Sequence, residues 1–196
     1  MKYHNRFENI VTTKNNISKI KVVLTDVDGV LTDGGMYYSN KGDVMKKFHA
    51  RDGMGVTLLR KIKIPTIIVT KEQTEMVKQW SKKMKIKELM DGVKNKELVL
   101  DKICKKYRVS SDEIAFIGDD INDMDLLKKV GFSACPKDAM EQVRKICDYT
   151  CQTVGGKGAF RELVELVLKN KWSIMKKIIR RWLKSKIWKK IMKFQN

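Results

Sequence analysis

Four short polar motifs carry the residue types that could act on a phosphoryl group. Asp26-Val-Asp28-Gly29-Val-Leu-Thr32-Asp33-Gly34 sets two carboxylates two residues apart, directly after the apolar run Lys21-Val-Val-Leu-Thr25. A carboxylate beside a divalent cation can attack phosphorus to form an aspartyl-phosphate, while a second exchanges protons with the leaving group and water. On that reading Asp26 is the nucleophile and Asp28 the acid/base. Gly118-Asp-Asp-Ile-Asn-Asp123 adds Asp119, Asp120 and Asp123, hard oxygen donors of the kind Mg²⁺ takes. Carboxylates crowded there would repel one another and an incoming phosphate, so the arrangement needs a cation. Thr70 can donate a hydrogen bond to a phosphoryl oxygen, and Lys96 can neutralise charge that develops in transfer. Singly, each piece is also an ordinary turn, solvated loop or surface residue; their order, each after a strand or at the head of a helix, carries the reading.

The elements that must hold these residues follow from pattern. Lys21–Thr25, Ile64-Pro-Thr-Ile-Ile-Val-Thr70 and Glu113-Ile-Ala-Phe-Ile-Gly118-Asp119 are β-branched or apolar runs that end in polar residues, as buried parallel strands do. Helical patterns cover Gly55–Lys61, Glu72–Met84, Lys96–Tyr107 and Met124–Val130. The alternation predicts an α/β fold with a parallel sheet covered on both faces, its ligand at the carboxyl ends of the strands. Met36-Tyr-Tyr38 and Val44-Met-Lys-Lys-Phe48 flank Asn40-Lys-Gly42-Asp43, which predicts a β-hairpin projecting beside the first acidic loop.

The chain has 196 residues with a net charge of +19, a length that predicts one compact domain. The charge is unevenly placed. Residues 169–196 hold nine Lys, two Arg and no acid, which is +11, while residues 1–168 hold 31 bases and 23 acids, which is +8. A basic body suits a phosphorylated acidic substrate; the tail is a separate feature. Trp172, Met175, Ile178, Ile179, Trp182 and Leu183 follow helical spacing opposite Lys176, Lys177, Arg180, Arg181 and Lys184, and the phase slips near Ser185. This predicts a basic amphipathic helix with a bend, or two short segments, suited first to a membrane surface or a protein partner, next to a solvated or disordered tail, and least to nucleic acid. Three segments are expected: a polar arm over 1–18, one domain over 19–168 and the basic tail over 169–196. Cys104, Cys135, Cys147 and Cys151 form no CxxC pair, and no secretory signal or apolar run long enough to cross a bilayer is seen, so a reduced, cytoplasmic protein is expected. Cys147 and Cys151 could share a helix face, but lack His partners for a metal.

The four motifs resemble those of the haloacid dehalogenase superfamily of phosphohydrolases. Asp28-Gly-Val-Leu-Thr-Asp-Gly34, the hairpin, Arg51-Asp-Gly-Met-Gly55, Asn95-Lys96, Gly118-Asp-Asp-Ile-Asn-Asp123 and Gly155-Gly-Lys-Gly-Ala-Phe-Arg161-Glu162 extend the likeness, over residues 19–168, to the capless 3-deoxy-D-manno-octulosonate 8-phosphate phosphatases and their nonulosonate 9-phosphate relatives. The resemblance implies a Rossmann-like three-layer domain without a cap and Mg²⁺-dependent hydrolysis of an eight- or nine-carbon 2-keto-3-deoxy sugar acid phosphate. It assigns the nucleophile to Asp26 and the acid/base to Asp28, whose backbone carbonyl also binds Mg²⁺. Asp119 completes the metal ligands, Asp123 supports them, and Thr70 and Lys96 bind the phosphoryl group. It also implies a homotetramer in which hairpins form an intersubunit barrel and a neighbour lines the pocket, because the hairpin and one helix fill the stretch from Asp28 to Thr70 and leave no cap.

Substrate choice is carried by departures from that pattern. Where octulosonate enzymes have Gly-Arg after the motif Thr, this chain reads Thr70-Lys71-Glu72-Gln73-Thr74, closer to the nonulosonate relatives; Glu72 and Lys83 match their substrate contacts, while an expected Arg falls on Trp80. Trp80 would stack on a sugar or pack in a core or interface. Arg51 and Arg161 either pair with the substrate carboxylate or are surface charges. The Gly155–Gly158 loop would cradle an anion or simply move, and His49 is expected to be structural. The competing function is a non-catalytic tetramerisation module working with a sugar-acid cytidylyltransferase or a membrane surface; the intact set Asp26, Asp28, Lys96 and Asp119 argues against it.

Overall fold

The structure, a computed structural model, describes residues 17–171. Most of the basic tail expected over 169–196, and most of the polar arm over 1–18, lie outside the described residues. A six-stranded sheet is built from β1 (Val22–Thr25), β4 (Thr66–Val69), β5 (Glu88–Met90), β6 (Ile114–Ile117), β7 (Phe132–Cys135) and β8 (Tyr149–Thr150), in the order β5-β4-β1-β6-β7-β8. Every neighbouring pair is parallel. β2 (Tyr37–Ser39) and β3 (Gly42–Met45) pair separately as the antiparallel hairpin. The helices are α1 (Ala50–Lys61), α2 (Glu75–Met84), α3 (Leu100–Tyr107), α4 (Met124–Leu127), α5 (Glu141–Ile146) and α6 over 159–171.

The strands are buried on both faces, which is why they read as continuous apolar runs. Side chains alternate between two cores. Val23, Ile68, Ala115 and Ile117 pack with Val56 and Leu59 of α1 and with Phe160 and Val164 of α6. Val22, Leu24, Ile67 and Phe116 pack with Leu100 and Ile103 of α3 and with Leu126 of α4. Three layers result, with no cap domain among the described residues. The first core also takes in Ile17, so packing begins inside the polar segment, and α6 runs across the compositional boundary at 168/169.

Several boundaries differ from expectation for local reasons. α2 starts at Glu75 because the Thr74 hydroxyl accepts from Val77 N, so Glu72 precedes the helix. Lys96–Val99 is a 3-10 turn leading into α3. α4 ends at Leu127, short of Val130. Cys147 is the C-cap of α5 and Cys151 lies beyond β8 in the core, so the two share no helix face. β5, β7 and β8 are additional strands: Glu88-Leu-Met90 and Phe132-Ser-Ala-Cys135 contain no β-branched residue, and β8 is two residues long.

Candidate active site

Strand order turns outward in opposite directions from β1 and β6, which places a crevice at their carboxyl ends. The acidic motifs leave from those two ends. Asp26 N donates to Ile117 O at 3.0 Å, tying the start of one acidic loop to the end of the neighbouring strand. The loops then touch closely. Gly29 has φ +83°, and a Cβ on it would lie 2.0 Å from Asp119 Oδ2, so a side chain there would drive the two loops apart.

Asp26, Asp119 and Asp123 each bring a carboxylate oxygen within 4.8 Å of the other two. Lys96, whose side chain is fully buried, reaches the cluster from the turn before α3. Its Nζ donates to Asp26 Oδ1 at 2.8 Å and to Asp123 Oδ1 at 2.6 Å. Asp123 Oδ2 accepts from the amides of Asp119 and Asp120 at 2.9 and 3.3 Å. Asp123 thus has both oxygens engaged and fixes Lys96 and the loop. Asp119 differs, because its buried Oδ1 has no hydrogen-bond partner.

Three carboxylates around one ammonium leave an excess of negative charge out of water, an expensive state. Burial, then the Asp123 charge, raise the Asp26 pKa to about 7 against the pull of Lys96. Burial, then Asp26 and Asp123, raise that of Asp119 to about 8. Burial opposes the Lys96 ammonium, yet Asp26 and Asp123 hold its pKa above the ordinary lysine value. A divalent cation would remove the excess without protons. The donor set fits one: oxygen ligands only, an Asp119 oxygen without a partner, and carboxylates at two adjoining strand ends.

Asp28 is held differently. Its Oδ1 accepts from Lys46 Nζ at 2.6 Å and from the Thr32 hydroxyl at 3.2 Å, and the Lys46 side chain is only 4% exposed. Lys46 follows β3, so the hairpin supplies a cation to the proposed acid/base. The sequence reading missed it; the signal was one more Lys in a strand-like segment. Thr70 is buried at the carboxyl end of β4, beside β1, with its backbone bonded to Met90 and Val93.

The substrate candidates are spread more widely. Arg51 sits in the first turn of α1 beside Gly158, behind the His49 cap whose Nδ1 accepts from Arg51 N. The Arg161 guanidinium is bound by Glu165 one helical turn on, and its backbone N–H is received by Asp52 Oδ1 at 2.8 Å. None of the cluster residues is among its partners. Glu72 is exposed after Thr70. Lys83 lines a shallow cleft with His49, Trp80 and Met84, in which Trp80 stacks on Phe48 at 4.7 Å between ring centroids. Trp80 therefore packs against the hairpin's outgoing strand segment. The Gly-rich loop seats on the first acidic loop: Gly156 N donates to Val30 O, and a Cβ on Gly155 would lie 1.9 Å from Gly29 O.

Residues 59–163 match the family of haloacid dehalogenase-like hydrolases. The chain belongs to that family. It is 35% identical over 152 residues to 3-deoxy-D-manno-octulosonate 8-phosphate phosphatase KdsC of Haemophilus influenzae, covering 78% of this chain and 84% of the relative. A cobalt-bound structure of the Haemophilus influenzae phosphatase matches with TM-score 0.78 and 34% identity, over 80% of this chain and 92% of that one. The Moraxella catarrhalis phosphatase, solved with magnesium, phosphate and 3-deoxy-D-manno-octulosonate (KDO), matches with TM-score 0.80 and 31% identity, over 86% and 97%. Within the haloacid dehalogenase-like hydrolases, the chain is a phosphatase of this capless branch.

Proposed function

We propose that the protein hydrolyses the phosphomonoester of a 2-keto-3-deoxy sugar acid through an aspartyl-phosphate on Asp26. The buried Asp26–Lys96–Asp123–Asp119 cluster carries this reading, because only a charged, oxygen-rich reaction partner justifies so many carboxylates out of water. Asp26 and Asp119, with the Asp28 backbone carbonyl, are the proposed Mg²⁺ ligands. The cation supplies charge neutralisation when bound. Asp26 contributes the attacking oxygen and is oriented by Lys96; Thr70 and Lys96 hold the phosphoryl oxygens. Asp28, oriented by Lys46 and Thr32, gives a proton to the leaving alkoxide and then takes one from water as the acyl-phosphate is opened.

The similarity to octulosonate phosphatases supports an eight-carbon substrate, and Glu72 with Lys83 supports a nine-carbon acid. A panel comparing 3-deoxy-D-manno-octulosonate 8-phosphate with nonulosonate 9-phosphates, read as phosphate release, separates them. Asp26→Asn is expected to lower turnover by at least about a thousandfold. Unchanged release would refute the covalent mechanism.

We further infer a homotetramer built on the hairpin, where Met36, Tyr38, Val44 and Met45 are at least half exposed. Exposed apolar and aromatic side chains grouped on one projecting element are what an interface buries. It would bring a neighbour to the open side of the site, in place of the missing cap. A non-catalytic assembly role is not favoured, since it gives the buried carboxylates no use.

A further inference from the structure

The geometry points to a docking surface for an anionic lipid bilayer on the face opposite the acidic cluster. A groove of about 850 Å³ opens at the amino ends of β1 and β4. Its accessible apolar lining comes from Ile62, Pro65, Val109 and Leu168, above the buried core residues Ile20, Val22, Val56 and Ile64. Among the described residues that line it, seven are Lys or Arg and none is acidic. Within ion-pair distance among the described residues, only Lys21 of these cations meets a carboxylate, that of Glu113.

Part of this charge has an ordinary cause. Lys63, Lys85 and Arg108 stand at the ends of α1, α2 and α3, where cations offset the helix dipoles. Three half-charges and the Glu113 carboxylate still leave a surplus of about four positive charges around the groove. These three residues also take left-handed backbone, with φ of 62°, 58° and 54°, a conformation better suited to Gly or Asn. Below them the buried Thr66 hydroxyl has no hydrogen-bond partner.

The choice of occupant follows from charge and from the lining. The chain's own continuation past Lys171 holds nine further Lys and Arg and no acid, so it would be repelled by the rim. An aliphatic lining suits acyl chains; a single-stranded nucleic acid would need stacking surfaces, and among the described residues Tyr107 is the one aromatic residue lining the groove. In sequence, Lys171 at the groove wall precedes that Trp-containing basic segment, whose composition suits the same anionic surface. With the groove at the amino ends of the strands, the carboxyl-end site stays open to water.

The test uses the full chain in flotation with phosphatidylcholine vesicles, with and without phosphatidylglycerol. Lys63→Asn, Lys85→Asn and Arg108→Asn are combined, because Asn accepts left-handed backbone and the fold is kept; circular dichroism and thermal unfolding verify it. The parent should float with phosphatidylglycerol vesicles only, and the triple variant should partition on the order of a hundredfold more weakly. A parent that stays in solution overturns the proposal. So does a folded triple variant that floats like the parent, which would assign binding to the tail alone. Tighter binding to a single-stranded oligonucleotide than to vesicles, lost in the triple variant, would reassign the surface to nucleic acid and likewise overturn it.

Discussion

Two aspartates two residues apart have been given different surroundings. Asp26 lies in a buried cluster of carboxylates, whereas Asp28 is partly exposed and bonded to a lysine from another element. This division suits a nucleophile and a proton carrier. It also makes Lys46 testable: Lys46→Met keeps the length but removes the ammonium, and kcat is expected to fall about tenfold or more with KM little changed. An unchanged kcat would leave Lys46 with only a role in seating the hairpin. The raised pKa values of Asp26 and Asp119 set a second expectation. A cation needs both carboxylates ionised, so Mg²⁺ binding must displace protons at pH 6 and fewer at pH 8. The thermal shift produced by Mg²⁺ should therefore grow across that interval and vanish with a chelator. A shift independent of pH would contradict the assigned ligands.

At the scale of elements, the Gly-rich loop and α6 act as a clamp on the first acidic loop. Glycines at 155 and 156 allow backbone contact with that loop, and Asp52 of α1 receives the Arg161 amide in the first turn of α6. Asp52 is fully buried, and its Oδ2 has no partner. Burial raises its pKa to about 6, with the Arg161 amide pulling the other way. The native state then holds the proton more tightly than the unfolded chain, so this group's contribution to stability falls as pH rises from about 4 through 6. Asp52→Asn can still accept from Arg161 but does not ionise. In denaturant unfolding it should match the parent near pH 4 and exceed it by up to about 3 kcal/mol above pH 7. Parallel pH profiles for the two proteins would refute this account.

The whole molecule sets opposite charges at the two ends of one sheet. The carboxyl ends hold the acidic cluster, and the amino ends hold the cationic groove. The hairpin lies beside the carboxyl-end site, tied to it by the Lys46–Asp28 pair, and its apolar side chains are exposed in the single chain. If those side chains form the tetramer, Tyr38→Asp with Val44→Asp should shift sedimentation to smaller species. Substrate turnover should fall with it while the thermal unfolding of the core changes little, because neither residue touches the main cores. A fully active monomer would remove the tetramer from the mechanism.

Local chemistry explains how much of this could be read from residue order. Buried parallel strands must be apolar and must end where polar residues begin, so β1, β4, β6 and the polar residues after them were marked by pattern alone. The hairpin showed its turn in the same way. β5 and β8 were not marked, because short edge strands take their conformation from a neighbour's hydrogen bonds rather than from their own side chains, and β7, paired on both sides, has no β-branched residue to mark it. Long-range pairing was equally silent. That Lys46 meets Asp28, that Asp52 caps α6 and that Arg161 turns to Glu165 depends on side chains from distant segments arriving within a few ångströms. The same holds for the groove: lysines and arginines scattered through the sequence become one surface only when three helices end on the same side of the sheet. Sequence thus specified which strand ends carry the acidic residues, and packing specified what each charged group faces.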